Sequence, residues 1–375
     1  MTPLNFLHCH STFSLGGKEA RAVRLMNVFG DKARHTILSA VPDALGARDA
    51  IDPGIDVTFP GEAAPPLHGK PSPGRYRDLA RYMRGFDLVL TYNWGSMDAV
   101  GARRIFPRGC PCLIHHEDGF NADEVAKLNW KRNGFRRLML PTAHRVVVPS
   151  ERLEGIARTV WRQPAARIVR IPNGIDTAAY APPPPPDTIP GFVRREGEVI
   201  VGTLAGLREV KNLPRLVRAV AALPSHVRLI IIGEGPERGA ILAEAERLGM
   251  ADRLLLPGFL PTPSLTVGHF DIFALSSDSE QFPISLVEAM AAGKPAVSTD
   301  VGDVRAILSG PNRRFVVPSS DEAALASALA ELVADATLRR DLGAANRALA
   351  VSAYDERAMI ARYAALYGIA GEAHL

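Results

Sequence analysis

In SDSEQFPISLVEAMAAGKP, residues 277–295, Glu280 and Glu288 bracket an otherwise apolar run that contains one proline, Pro283. Pro283 is a favoured first helical residue. The spacing therefore predicts a helix from Pro283, with Glu280 in the loop before it and Glu288 about two turns inside. A helix N-terminus offers unpaired N–H groups and the positive end of its dipole to an anion. Glu280 would reach the reacting end of a ligand held there. Glu288, tilted back toward the helix N-terminus, could accept two hydrogen bonds from a vicinal diol. A solvated loop residue and a surface helix residue are the competing reading of the pair.

Three further segments carry candidate chemistry. In VGTLAGLREVKNLPRLVRAV, residues 201–220, a strand runs into a loop with Gly202, Gly206, Arg208 and Lys211, and a helix follows from Asn212 with Pro214 in its first turn. A cation at such a junction can neutralise charge that grows on a departing diphosphate, although Lys211 as a solvated residue is the plainer reading. In HSTFSLGGKEARAVRLM, residues 10–26, Gly16 and Gly17 lie between the first strand and the first helix, where missing side chains admit a phosphate or simply make a tight turn. The segment fits neither the P-loop nor the G-x-G-x-x-G fingerprint. CLIHHEDGF, residues 112–120, reads as a buried strand ending in His115, His116, Glu117 and Asp118. Polar residues at the carboxyl end of a parallel strand line the crevice where α/β proteins bind ligands; here they are candidates for a metal site, a general base or structural histidines.

The elements that must position these residues alternate along the whole chain. Short β-branched runs such as NFLHCH, HTILSA, FDLVLTYN and HRVVVPS in the first half, and EVIVGTL, VRLIIIG, DIFALSS and PAVSTD in the second, are separated by amphipathic helical lengths. This is the pattern of βαβ units and parallel sheets. A chain of 375 residues is long for one core and suits two α/β domains. NGIDTAAYAPPPPPDTIPG carries five consecutive prolines and reads as a semi-rigid linker. The expected division is a first domain at 1–175, a linker at 176–190, a second domain at 191–355 and a closing helix at 356–375.

Composition narrows the class. With 47% hydrophobic and 22% charged residues, the chain is globular rather than disordered. No apolar run has the length of a membrane span, the N-terminus reads directly as a first strand, and a cytoplasmic protein is expected, with peripheral contact at the inner face of the membrane as the further option. Three cysteines without paired spacing argue against a disulfide framework or zinc site and read as buried thiols. Residues 1–173 hold 25 Lys/Arg against 16 Asp/Glu, whereas 174–375 hold 19 against 24, so the halves carry net charges of +9 and −5 and should meet different partners. Nucleic acid is disfavoured, because the basic residues accompany no aromatic stacking array or recognisable module.

In order, GGKE, HHEDG, VVVPS, RIVRIPNGID, VGTLAGLREVKN, IIIGEGPER, LLLPGF and SEQFPISLVEAMAAGKPAVSTDVGD resemble the retaining glycosyltransferases of family 4. The resemblance covers nearly the whole chain. It implies a GT-B fold, two Rossmann-like domains facing a cleft with a C-terminal helix crossing back to the first. It implies transfer of a sugar from a nucleoside diphosphate sugar to an acceptor hydroxyl with retention, in polysaccharide or glycolipid synthesis. Glu280 would lie near the transferred sugar and Glu288 on the ribose, with Phe282, Pro283 and Ile284 in the same donor-binding segment. Lys211 would meet the donor diphosphate, and Gly16 and Gly17 would face it. His116 or His115, with Glu117, would stand on the acceptor side. Leu254–Phe259 resembles the segment whose backbone reads the base.

Two positions depart from the family pattern. Gly206 stands where an arginine is frequent, five residues before the lysine, and Arg208 is the substitute at hand. Gln281 replaces the glycine after the first glutamate. No cofactor or metal is expected, since fixed cations and helix N-termini can carry the leaving-group charge. A sugar-nucleotide epimerase and a non-catalytic nucleotide-sugar-binding subunit are the alternatives. In KLNWKRNGFRRLML, residues 127–140, a helical projection puts Leu128, Phe135, Leu138 and Met139 on one side, with Arg132 and Arg136 beside them and Lys131 inside the apolar arc. It is either an ordinary basic surface helix or a contact with anionic membrane.

Overall fold

The computed structural model describes residues 2–120 and 129–369. The chain divides into two compact units, Met1–Asn173 with Arg357–Leu375, and Gly174–Glu356.

The first unit holds strands β1 (Leu4–His10), β2 (Ala33–Ser39), β3 (Val57–Thr58), β4 (Leu88–Tyr92), β5 (Cys112–His116), β6 (Arg145–Val148) and β7 (Ile168–Arg170). They form one parallel sheet in the order β3-β2-β1-β4-β5-β6-β7. Helices α1 (Gly17–Phe29), α2 (Pro73–Met83), α3 (Met97–Ile105), α4 (Trp130–Met139) and α5 (Glu151–Thr159) connect them. Local sequence sets where these begin: the Ser72 side chain accepts from Arg75 N with Pro73 next to it, and Ser150 accepts from Leu153 N, the N-cap pattern that satisfies a free helical N–H.

The second unit holds β8 (Val199–Leu204), β9 (Val227–Ile232), β10 (Leu254–Gly258), β11 (Ile272–Leu275), β12 (Ala296–Thr299) and β13 (Val316–Val317), again all parallel, in the order β10-β9-β8-β11-β12-β13. Its helices are α6 (Leu213–Ala221), α7 (Arg238–Arg247), α8 (Ile284–Ala291), α9 (Val304–Ile307), α10 (Glu322–Ala334) and α11 (Ala336–Ala353). Strands such as VRLIII are apolar on both faces because helices cover both sides of a parallel sheet.

Both sheets are doubly wound, and each has its strand order reverse next to its first strand, between β1 and β4 and between β8 and β11. Ligands of such sheets bind at the carboxyl ends of the strands flanking that reversal. Residues 176–190, read from sequence as a linker, fold into the second unit, where Tyr180 and Ile189 are buried with Phe270 and Leu286. The last helix, α12 (Glu356–Tyr367), packs Met359, Ile360, Tyr363 and Tyr367 into the core of the first unit. Of the thiols, only Cys9 is buried; Cys110 is half-buried, and Cys112 is exposed as the first residue of β5.

Candidate functional site

In the second unit, the loops after β8 and β11 meet. Lys211 Nζ lies 2.6 Å from Glu280 Oε1, and Ser277 Oγ donates to the same oxygen at 2.7 Å. The loop that carries Lys211 is fixed to the end of β11, since Ser276 Oγ donates to the carbonyls of Lys211 and Asn212 and Asp278 N donates to Val210 O. Asn212 caps α6 in the left-handed region, φ 43°, a conformation that asparagine tolerates better than most residues. From the far side, Thr299 Oγ1 donates to Ser277 O at 2.6 Å and Asp303 N to Gln281 O at 3.1 Å. Gly302, at φ 57°, admits this approach: a Cβ there would stand 2.4 Å from Glu280 O. The Glu280 loop is therefore held rigidly on both flanks.

Helix α8 begins at Ile284, one residue later than the sequence suggests, with Pro283 as its N-cap. Glu288 lies inside it and is hydrogen-bonded by Tyr180. Burial pushes the Glu288 carboxyl up to about 7, and the Tyr180 bond only partly offsets this. Tyr180 is the residue that sequence reasoning missed. Its signal was a lone aromatic at the edge of a proline run, which was read as linker.

Arg208 is exposed and forms no side-chain hydrogen bond or ion pair with the described residues. Its Nε lies 3.6 Å from the point where a Cβ on Gly206 would stand. The Arg208 side chain thus lies against Gly206. Phe282 is half-buried and stacks edge-on with Tyr354 at 5.8 Å.

The raised carboxyl of Glu288 has a consequence for stability. A carboxyl that is held neutral in the fold stabilises it fully below its ordinary value of 4.5, and the contribution is lost as pH rises toward about 7. Glu288→Gln should therefore gain melting temperature relative to wild type between pH 4.5 and 7 and hold that gain above it. Thermal melts across this range check the sign; a pH-independent difference would contradict it.

In the first unit, the corresponding edge carries the glycine loop. Gly16 is the N-cap of α1. Lys18 pairs with Glu19, and burial lowers the Lys18 ammonium to about 8. Arg21 grips Asp118 through both oxygens, at 2.5 and 2.9 Å, and reaches Asn173 Oδ1 at 2.8 Å. Burial alone would push the Asp118 carboxyl up, but Arg21 outweighs it and holds the group below the usual range. Asn93, at φ 55°, accepts from Asp118 N at 2.7 Å and so pins the end of β5 to the end of β4.

The histidines at that end face inward. His116 Nδ1 is 3.2 Å from Thr91 O and therefore carries the proton, which leaves Nε2 to accept from Tyr367 Oη at 2.8 Å. Burial lowers this imidazole to about 3, so it is neutral. His115 Nδ1 meets Thr91 Oγ1 at 2.9 Å, and both histidines are fully buried. Glu117, expected on the acceptor side, is also fully buried. Its carboxylate is taken by Arg136 at 2.9 and 3.3 Å, and it anchors the loop rather than lining a site. Arg136 in turn is boxed by Trp94, Phe120 and Trp161, with its guanidinium carbon 5.2, 5.4 and 5.2 Å from their ring centres. This corrects the surface placement read from helical periodicity, because a guanidinium can be buried when a carboxylate and aromatic faces replace its water. Among the described residues no cluster of three or more histidine, cysteine or acidic side chains has the geometry to hold a metal ion.

Two family descriptions match the chain in tandem. "Glycosyltransferase Family 4" covers residues 15–179 and "Glycosyl transferases group 1" covers 187–349. The chain belongs to glycosyltransferase family 4. Within this family, it is 27% identical over 174 residues to N-acetyl-alpha-D-glucosaminyl L-malate synthase of Bacillus anthracis, a match that takes in 46% of each chain. It is 29% identical over 218 residues to the GDP-mannose-dependent alpha-(1-6)-phosphatidylinositol monomannoside mannosyltransferase of Mycolicibacterium smegmatis, covering 54% of this chain and 56% of that one. The chain thus spans about half the length of the curated relatives it matches. By fold, it superposes on Anabaena HepE in complex with UDP with a TM-score of 0.79 at 19% identity, covering 97% of this chain and 100% of that one. Sucrose-phosphate synthase from Thermosynechococcus elongatus gives 0.75 at 20% identity, covering 97% and 98%. The two Rossmann-like units and these neighbours make the fold GT-B.

Proposed function

We propose that this protein transfers a sugar from a nucleoside diphosphate sugar to an acceptor hydroxyl with retention at the anomeric carbon, in the synthesis of a cell-surface polysaccharide or glycolipid. The observation that carries the reading is the 2.6 Å pairing of Lys211 with Glu280 at the carboxyl edge of β8 and β11, with Glu288 on the helix that follows. Glu288 takes the ribose diol in place of Tyr180. Lys211 turns from Glu280 to the donor diphosphate, and Arg208, lying over Gly206, supplies the second cation. As the bond from the anomeric carbon to the phosphate oxygen breaks, these cations take up the charge that builds on the leaving group. The acceptor oxygen bonds to the anomeric carbon on the same face, and its proton passes to the departing phosphate. Glu280, released from Lys211, stabilises the electron-poor sugar ring.

His116 enters as a positioning residue, since Thr91 and Tyr367 hold both its ring nitrogens. UDP and GDP are the candidate nucleotides: HepE binds the first, and the mycolicibacterial relative is named for GDP-mannose. The working compartment is the cytoplasm, where sugar nucleotides are available, and no metal or cofactor takes part. The test is release of nucleoside diphosphate from UDP- and GDP-sugars, with NMR of the product giving the anomeric configuration.

The lipid-linked form of the acceptor is favoured by helix α4. Trp130 is 77% and Leu138 60% exposed, and Lys131 and Arg137 share their face, while Arg136 is withdrawn into the core. Lys127 and Leu128 lie outside the described residues. An exposed aromatic and leucine beside two cations suit an anionic membrane surface, each cation adding about 1 kcal/mol. Vesicles containing anionic lipid should pellet the protein in a salt-sensitive manner, and Trp130→Ala with Arg137→Gln should weaken this at least about fivefold. Equal pelleting with neutral vesicles would sink the proposal. Among the described residues, no helix is long and apolar enough to cross a membrane.

A further inference from the structure

The carboxyl end of β2 opens into a cavity of about 330 Å³ that none of the chemistry above uses. Its floor is Ile37 and Leu38, both buried, and Leu45, Phe59, Ala64 and Leu67 form its walls. No lysine or arginine lines it, and the titratable groups, Glu62 and His68, are exposed. A cavity of this size, apolar inside with a few polar groups at its mouth, has the build of a small-molecule site. Without a cation it offers nothing to a phosphate, and an unpaired charge inside would be costly.

The walls are preformed. Arg75 on α2 donates to the carbonyls of Leu67, Gly69 and Lys70 at 3.2, 3.0 and 3.2 Å and pairs with Asp98 on α3 at 2.7 Å, fixing one side. Tyr76 Oη reinforces Asp98 at 2.8 Å. On the other side, Phe59 lies beneath the Arg48 guanidinium at 5.3 Å and against Phe13 at 5.9 Å. Phe13 belongs to the segment between β1 and the glycine loop, and it exchanges backbone hydrogen bonds with Ala44 and Ala47. Ala40 N donates to His10 O at 2.9 Å, joining the mouth of the cavity to the end of β1. The cavity is thus one strand away from Gly16 and Gly17, on the same edge of the same sheet.

We infer that this cavity takes the hydrocarbon end of a lipid-linked acceptor, the part of the chain next to the head group that presents the reacting hydroxyl. At about 30 Å³ for each water-sized group, it holds roughly ten carbons. Burial of that chain supplies acceptor affinity without any charged contact. The inference rests on the glycosyl-transfer reading for the identity of the ligand, but the cavity can be tested without turnover.

The probe is an octyl glucoside bearing a diazirine at the chain end, used below its micellar concentration. After photolysis, peptide mapping should place the label within residues 37–45 and 59–68. Octyl glucoside should compete and methyl glucoside should not. Two variants that fill the cavity, Ala40→Trp and Ala64→Leu, should each cut labelling at least tenfold while keeping the wild-type circular dichroism spectrum, and either one suffices if the other does not fold. Labelling elsewhere, competition by methyl glucoside, or full labelling in a folded variant would overturn the inference. Nucleotide titration on the same sample separates the outcomes: specific labelling with no nucleotide binding refutes the transferase reading and leaves an apolar-ligand site, whereas nucleotide binding without labelling refutes the cavity alone.

Discussion

Lys211→Ala should lower turnover by at least about a hundredfold, the scale on which removing one preorganised stabiliser of developing charge acts. The lysine is 15% exposed and lies beside Glu280, so in the proposed transfer its charge would act on the leaving diphosphate in a medium that screens poorly. The loss should fall mainly on kcat, because the charge on the leaving oxygens grows toward the transition state. Arg208→Ala should cost less, since Arg208 is exposed and screened. Wild-type turnover should persist in EDTA, as the two cations do the work of a metal. Steady-state rates check all three; a tenfold or smaller loss on removing Lys211, or activity abolished by EDTA and restored by Mn²⁺, would contradict the roles assigned.

The second large effect is on stability. Arg136→Met should destabilise the first unit by about 3–5 kcal/mol, because it leaves the Glu117 carboxylate buried without a counter-charge. For a unit of this size that corresponds to a fall of roughly 10 °C in its melting temperature. Adding Glu117→Gln should restore much of the loss, since replacing both members of a buried pair is far less costly than removing one. Calorimetry on the single and double variants decides this. An unchanged melting temperature in Arg136→Met would mean that the guanidinium is not held as the structure shows.

Arg136 also marks where sequence reading reaches its limit. Helical periodicity places it beside the apolar side of α4, whereas Lys131, which the same projection puts inside the apolar arc, is exposed. What buries Arg136 is a carboxylate 19 residues away and three aromatic rings from separate segments. No local pattern encodes such a box. The strands were legible for the opposite reason: runs such as VRLIII and RVVV have few other stable uses than the centre of a parallel sheet. Lys211 and Glu280 were legible as loop residues after two strands, but their contact was not, since it depends on β8 and β11 being neighbours. Tyr367 and His116 are 251 residues apart, too far for any local pattern to join them. Tyr180 was hidden by the prolines that follow it.

In the proposed reaction the edge of β8 and β11 is a nucleotide site with Glu288 on the ribose. Calorimetric titration of wild type and Glu288→Ala with UDP and with GDP tests it most directly. Above about pH 7, where the Glu288 carboxyl is ionised, one of the two nucleotides should bind the wild type, and the variant should bind it at least about tenfold more weakly, the effect of losing charged hydrogen bonds worth roughly 1.5–3 kcal/mol. Failure of both nucleotides to bind the wild type, or an unchanged affinity in Glu288→Ala, would contradict the account.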